Sequence, residues 1–150
     1  MEIRDAVRAV LKRKGAEVWS VEPQVSVYRA IEIMAEKYVG ALLVMSEGKL
    51  VGIVSERDYA RKVILKGKSS KETRVGEIMS SPVIYVEPWQ PVDACLRIMT
   101  EQRIRHLPVV DGDAIVGIVS IGDLVNWIMS AQDHAIEQLQ NYVTGRYPYS

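Results

Sequence analysis

A chain of 150 residues is enough for one domain of ordinary size or two small ones sharing a core. Basic and acidic residues number 19 each, so formal charge is zero and the basic excess of a nucleic-acid binder is missing. No apolar run reaches bilayer length, the opening Met-Glu-Ile-Arg-Asp lacks a secretory apolar stretch, and Cys95 has no cysteine to pair with, so a cytoplasmic protein without a membrane partner is expected.

In chain order, Ile3 to Lys14 reads as an amphipathic helix, with Val7, Val10 and Leu11 on one face and Gly15 as its stop. A short extended segment ends in Val21-Glu-Pro23. A helix follows, its apolar face marked by Val27, Ala30, Ile31, Met34 and Tyr38 at spacings of three and four. Two strand-sized runs, Leu42–Met45 and Leu50–Val54, flank the turn Ser46-Glu-Gly-Lys49. A second helix is predicted over about 56–65, and 66–74 is a polar link. A lead-in, Val75-Gly-Glu-Ile-Met-Ser-Ser-Pro-Val83, precedes Val86-Glu-Pro88. Then comes a helix striped by Val92, Cys95, Leu96 and Met99, with Pro91 at its start. Strands at Leu107–Val110 and Ala114–Val119 flank Asp111-Gly-Asp113. A closing helix is expected from Ile121 to about Met129, and a helical tail continues through Ile136 and Leu139 to end near Gly145.

This order repeats. A shift of 65 residues, with no gap, superposes Val21-Glu-Pro23 on Val86-Glu-Pro88 and Val51-Gly-Ile-Val-Ser55 on Val116-Gly-Ile-Val-Ser120. It also matches Val27, Ile33, Met34, Glu36, Val44 and Asp58 with Val92, Ile98, Met99, Glu101, Val109 and Asp123. With Leu42 on Leu107 as well, that makes 15 identities over the 39 positions from 21 to 59, so the unit is duplicated. The domain boundaries that follow are 1–65 for the N-terminal helix plus repeat 1, 66–74 for the linker, 75–130 for repeat 2 and 131–150 for the tail. Neither half buries an apolar face well alone, so the two copies are expected to pack together.

Each copy closes with Gly, two apolar residues, Ser, two variable residues and Asp: Gly52-Ile-Val-Ser-Glu-Arg-Asp58 and Gly117-Ile-Val-Ser-Ile-Gly-Asp123. With Arg105-His-Leu-Pro-Val-Val-Asp111 and the lead-in before repeat 2, this resembles the signature of CBS domains, whose tandem pair is called a Bateman module. The likeness spans about 16–130, and the whole layout is similar to stand-alone CBS-pair proteins. The resemblance implies an α/β (α+β) fold of two βαββα units in pseudo-twofold arrangement, flanked by the N-terminal helix and the helical tail. It implies a homodimer, and clefts between the repeats that take AMP, ADP, ATP, NAD or an adenosylmethionine-type ligand. The signature Asp58 and Asp123 would then bond ribose hydroxyls, with Ser55 and Ser120 supporting ribose or phosphate.

The residues also allow a structural reading. Ser-x-x-Asp before a helix is a capping-box variant, so Ser55 and Ser120 serve as caps whether or not a ligand is held. The two roles are compatible, because a helix N-terminus presents free amides to an anion. Arg57, Arg61 and Lys62 form a basic patch on the first closing helix, and Arg103, Arg105 and His106 another beside the second strand pair. Arg61 and Lys62 read equally as a solvated face, Arg105 or His106 as a phosphate contact, and Arg57 alternatively as stacking on an aromatic ring or pairing across a dimer. An adenine slot is expected from Val18, Trp19, Val39, Gly40 and Ala41 in the first copy, and from Ser81, Val83, Ile104 and Leu107 in the second. Trp19 reads as a base-stacking ring or as core. Cys95, on the core stripe, is expected to be buried and inert.

Two histidines and one cysteine, dispersed in sequence, give no metal-ligand spacing. No nucleophile elbow, Walker loop or Gly-x-Gly-x-x-Gly follows a strand. Equivalent aspartates in two repeats point to duplicated binding, not to a complementary acid and base. These absences, together with the resemblance, lead to the expectation of a non-enzymatic sensor; the resemblance implies that it takes an adenine nucleotide, AMP or NAD ahead of ADP and ATP, and signals to a regulated protein. The alternative is a dimeric interaction module that needs no ligand.

Overall fold

The structure, a computed structural model, describes residues 4–144. In chain order its elements are α1 (Val7–Lys14), β1 (Ser20–Val21), α2 (Val27–Lys37), β2 (Ala41–Ser46), β3 (Lys49–Ser55), α3 (Glu56–Tyr59), α4 (Val75–Ile78), α5 (Val92–Gln102), β4 (His106–Asp111), β5 (Ala114–Ser120) and α6 (Ile121–Thr144). The mixed α/β class and the tandem strand-helix-strand-strand-helix plan are those read from the sequence. Two differences are local. The N-terminal helix begins at Val7, and α3 passes into a single π-helical turn, Ala60–Ile64, in which the Leu65 amide donates to the Ala60 carbonyl.

The described residues divide into two compact units, Glu17–Tyr85 and 4–16 together with 86–144. In the first, β1 runs parallel to β2, and β2 pairs antiparallel with β3. Ser26 caps α2 by accepting from the Arg29 amide, and the helix ends at Tyr38 in the left-handed region. Glu47 and Gly48 take φ of 51° and 76°, as a two-residue type I′ hairpin requires. Val27, Ala30 and Met34 turn the buried face of α2 onto Leu42, Val44 and Val54. In the second unit β4 and β5 form the hairpin, and Val86 bridges Val109 in parallel where the first unit has β1. Val92, Cys95 and Met99 of α5 pack with Leu107, Val109 and Val119. The Cys95 thiol is pushed up to about 11 by burial and by the nearby Asp93 charge, so it stays protonated and unreactive.

Packing does not follow the boundaries drawn on the sequence. The N-terminal helix, grouped there with repeat 1, buries Val7, Val10 and Leu11 in the core of the second repeat. The lead-in, grouped there with repeat 2, buries Val75 and Ile78 in the core of the first. The end of the 66–74 link is structural as well: Thr73 is 5% exposed and its carbonyl accepts from the Val27 amide. At the other end, α6 runs unbroken across 130/131, and the predicted stop near Gly145 lies outside the described residues.

The two lead-ins do the same work. The Val7 amide donates to the Gln90 carbonyl and the Val75 amide to the Val25 carbonyl, both at 2.8 Å. Arg8 then donates to Pro88 as Gly76 does to Pro23. Each lead-in finally sets an apolar side chain over a strand glycine. A Cβ on Gly117 would lie 2.7 Å from Leu11 Cδ2, and one on Gly52 would lie 2.5 Å from Met79 Sδ. A pattern of Val, two residues, then two large apolar residues is thus duplicated too (Val7, Val10, Leu11 and Val75, Ile78, Met79), at a spacing that differs from the 65 of the strands and helices.

Candidate functional site

Both signature motifs sit where a hairpin hands over to a helix. Register sets Ala41 opposite Ser55, and His106 opposite Ser120. Each helix is then tied to the start of the partner strand: the Glu56 amide donates to the Gly40 carbonyl at 3.0 Å, and the Ile121 amide to the Arg105 carbonyl at 2.8 Å. Gly40, Ala41, Ser55 and Asp58 therefore come together in the first unit, and Arg105, His106, Ser120 and Asp123 in the second.

The capping-box reading of Ser-x-x-Asp holds in both. Asp58 Oδ2 accepts from the Ser55 amide at 2.9 Å and from its hydroxyl at 3.1 Å, and the Asp58 amide donates back to Ser55 Oγ at 3.2 Å. Asp123 Oδ2 accepts from the Ser120 amide at 2.8 Å, and the Asp123 amide donates to Ser120 Oγ at 3.1 Å. Both carboxylates, in the first helical turn, are thus fixed in direction by the amide of the capping serine before it.

Each carboxylate also holds a lysine. Lys62 Nζ lies 3.0 Å from Asp58 Oδ1, one helical turn on, and donates to the Ile78 carbonyl at 2.8 Å. On Asp123 the lysine is Lys14, the last residue of α1, which also donates to the Ile118 carbonyl at 2.9 Å. Burial works against charge on Asp123, but the Lys14 hydrogen bond, the Ser120 amide and the Lys14 charge outweigh it and hold the carboxyl below the usual carboxylate range. Lys14 escaped the sequence reading. It lies 109 residues from Asp123, and no local spacing signals such a pair.

The other expected residues divide. Val18 and Trp19 immediately precede β1, and Trp19 and Val39 pack on the first core. The Lys37 ammonium sits 4.4 Å from the Trp19 ring centroid, so the half-buried ring packs on the core and also meets a cation. Ser81 and Val83 belong to the first unit, not to the group that holds Ile104 and Leu107. Ile104 packs on the second core, and Leu107 is 0% exposed within it, so its side chain lines no open slot. Arg57, Lys62 and His106 are half-buried, whereas Arg61 and Arg105 are exposed. Arg103 is the left-handed C-cap of α5, the counterpart of Tyr38.

The family model for the CBS domain matches residues 3–64 and 75–130, the two repeats described above. The chain belongs to the CBS-domain family. Among curated relatives of this CBS pair, the mitochondrial CBS domain-containing protein CBSX3 of Arabidopsis thaliana is 38% identical, with 92% of this chain and 71% of that protein covered. A solved CBS-domain protein from Burkholderia ambifaria is 50% identical with a TM-score of 0.82, covering 85% of this chain and 96% of that one. The CBS domain pair of protein MJ0100, solved in complex with 5′-methylthioadenosine and S-adenosyl-L-methionine, is 28% identical with a TM-score of 0.75, covering 85% and 98%. CBS pairs are regulatory modules. Among the described residues of this one, no group of three or more His, Cys, Asp and Glu could hold a metal ion, and no helix is long and apolar enough to cross a membrane.

Proposed function

We propose that this CBS pair is a non-catalytic sensor whose two Ser-x-x-Asp turns each receive the ribose of an adenosine-containing ligand, AMP or NAD ahead of ADP and ATP. The single observation that carries this reading is the duplicated carboxylate, held by its own cap in the same direction in both repeats. A carboxylate accepts two hydroxyl donors, which suits a vicinal diol. That the related CBS pair of MJ0100 takes two adenosine compounds supports the ligand class. In this reading the protein acts as a cytoplasmic homodimer. Ligand favours one arrangement of the repeats by its differential affinity, and a regulated protein responds to that arrangement.

The test is calorimetric titration of ligand-stripped protein with AMP, ADP, ATP and NAD. Binding is expected in the micromolar range, about −8 kcal/mol, with Asp58→Ala and Asp123→Ala each removing the site at its own repeat. No heat with any of the four would sink the reading.

A second reading has its own observation. Val125, Met129, Ile136 and Leu139 on α6 are 42%, 55%, 54% and 66% exposed, at spacings that put them on one helical stripe. A dimeric interaction module that needs no ligand would use such a stripe, and the same titration decides between the two.

A further inference from the structure

The two lysines on the signature aspartates are the feature that neither the capping boxes nor the core packing explains. They come from positions that do not correspond. The repeat counterpart of Lys62 is Trp127, 65 residues on, and Lys14 belongs to a lead-in helix. Both nonetheless bring an ammonium to the equivalent carboxylate, and both anchor it to a neighbouring carbonyl, Ile78 in one unit and Ile118 in the other. A chance surface ion pair would not be expected to recur at matched carboxylates from unmatched positions.

We propose that Lys14 is a resident counter-ion that passes from Asp123 to the phosphate of an incoming nucleotide, and so selects phosphorylated adenosines over neutral ones at the second repeat. The proposal rests on the reading that Asp123 receives ribose. Asp123 Oδ2 is shared by the Ser120 amide and the Lys14 ammonium. Ribose hydroxyls must compete with that ammonium for the carboxylate. A neutral nucleoside that displaces Lys14 leaves it with no anion in exchange, beside a carboxylate whose side chain is only 23% exposed. A nucleotide brings its own anion, and the flexible lysine stem lets the ammonium move to it. Charge-assisted bonds are the strong ones, so the exchange favours the phosphorylated ligand. Lys62 stands in the same relation to Asp58.

The experiment compares AMP with adenosine by calorimetry, on an Asp58→Ala background so that the second repeat alone reports. The unaltered Lys14 protein is expected to prefer AMP by about tenfold or more, the worth of one charge-assisted bond. In Lys14→Gln the preference falls to within about twofold, because adenosine binds more tightly and AMP more weakly. Lys14→Arg keeps the preference. Val7, Val10 and Leu11 hold α1 in the core independently of Lys14, so the variants retain the fold, and thermal melting checks this. Equal weakening of both ligands in Lys14→Gln, or an unchanged ratio, overturns the proposal while leaving ribose binding intact. If neither compound binds the unaltered Lys14 protein, the ribose reading falls and the proposal with it.

Discussion

The two units build one scaffold by two routes. Glu56 and Ile121 start their helices from the same carbonyl position, Tyr38 and Arg103 end α2 and α5 with φ of 55° and 56°, and both hairpins shift register at the same place, Val44/Met45 and Val109/Val110. The parts around that scaffold differ. The first unit has a short helix followed by a π-helical turn, where the second has the 24-residue α6. The lead-in of the second unit is the eight-residue α1, that of the first the four-residue α4 followed by the Ile53–Ser80 bridge. Backbone geometry is repeated, then, while the helix that covers each sheet and the cation that meets each aspartate are supplied locally. The matched parts are those a duplicated hairpin and cap must have in order to close. The unmatched parts are where the two proposed sites differ in their surroundings.

The largest effect should come from the matched cores. Met34 and Met99 are each 2% exposed at equivalent places. Met34→Ala and Met99→Ala should each cost about 2–5 kcal/mol by urea denaturation, through lost transfer energy and the cavity left behind. If one costs several times the other, the units are not equivalent in packing and the comparison fails at its root.

A smaller effect separates the lead-ins. Gly117→Ala and Gly52→Ala should each destabilise by about 1–3 kcal/mol, because the new methyl meets Leu11 or Met79 too closely. Gly117→Ala should be the worse, since branched Leu11 yields less readily than unbranched Met79. Adding Leu11→Ala to Gly117→Ala should recover part of the loss in a double-mutant cycle. Additive losses would mean that Leu11 does not sit over the strand.

The duplication, the element order and the Ser-x-x-Asp caps were legible because each is local: an identity at fixed spacing, a helical stripe, a cap followed by its carboxylate. The exchange of lead-ins was not, for Val7-Arg-Ala-Val-Leu11 shares only its first residue with Val75-Gly-Glu-Ile-Met79, and packing partners lie a repeat away. A search for apolar spacing instead of identity would have found it. Lys14 was beyond reach, since its pairing depends on where α1 docks. The full burial of Leu107 was hidden for a related reason: alternation along β4 says which residues share a face, but not which face is the core.

The least effect, and the one that isolates Lys14, is on pH dependence. The folded Asp123 carboxyl titrates below its ordinary value, so its contribution is complete above the unfolded carboxylate value, about 3.9, and is lost as pH falls through the lower folded value. Asp123→Asn should therefore be less stable than the parent at neutral pH, with the gap closing only below about pH 4. Lys14→Gln removes the attracting charge but leaves the Ser120 amide, so it should shift the loss toward higher pH without abolishing it. Urea midpoints measured from neutral to acid pH would show this as three curves, Lys14→Gln lying between the other two in slope. Were Lys14→Gln to follow the parent curve throughout, the ammonium would not be what holds Asp123 ionised, and the Ser120 cap alone would account for its lowered value.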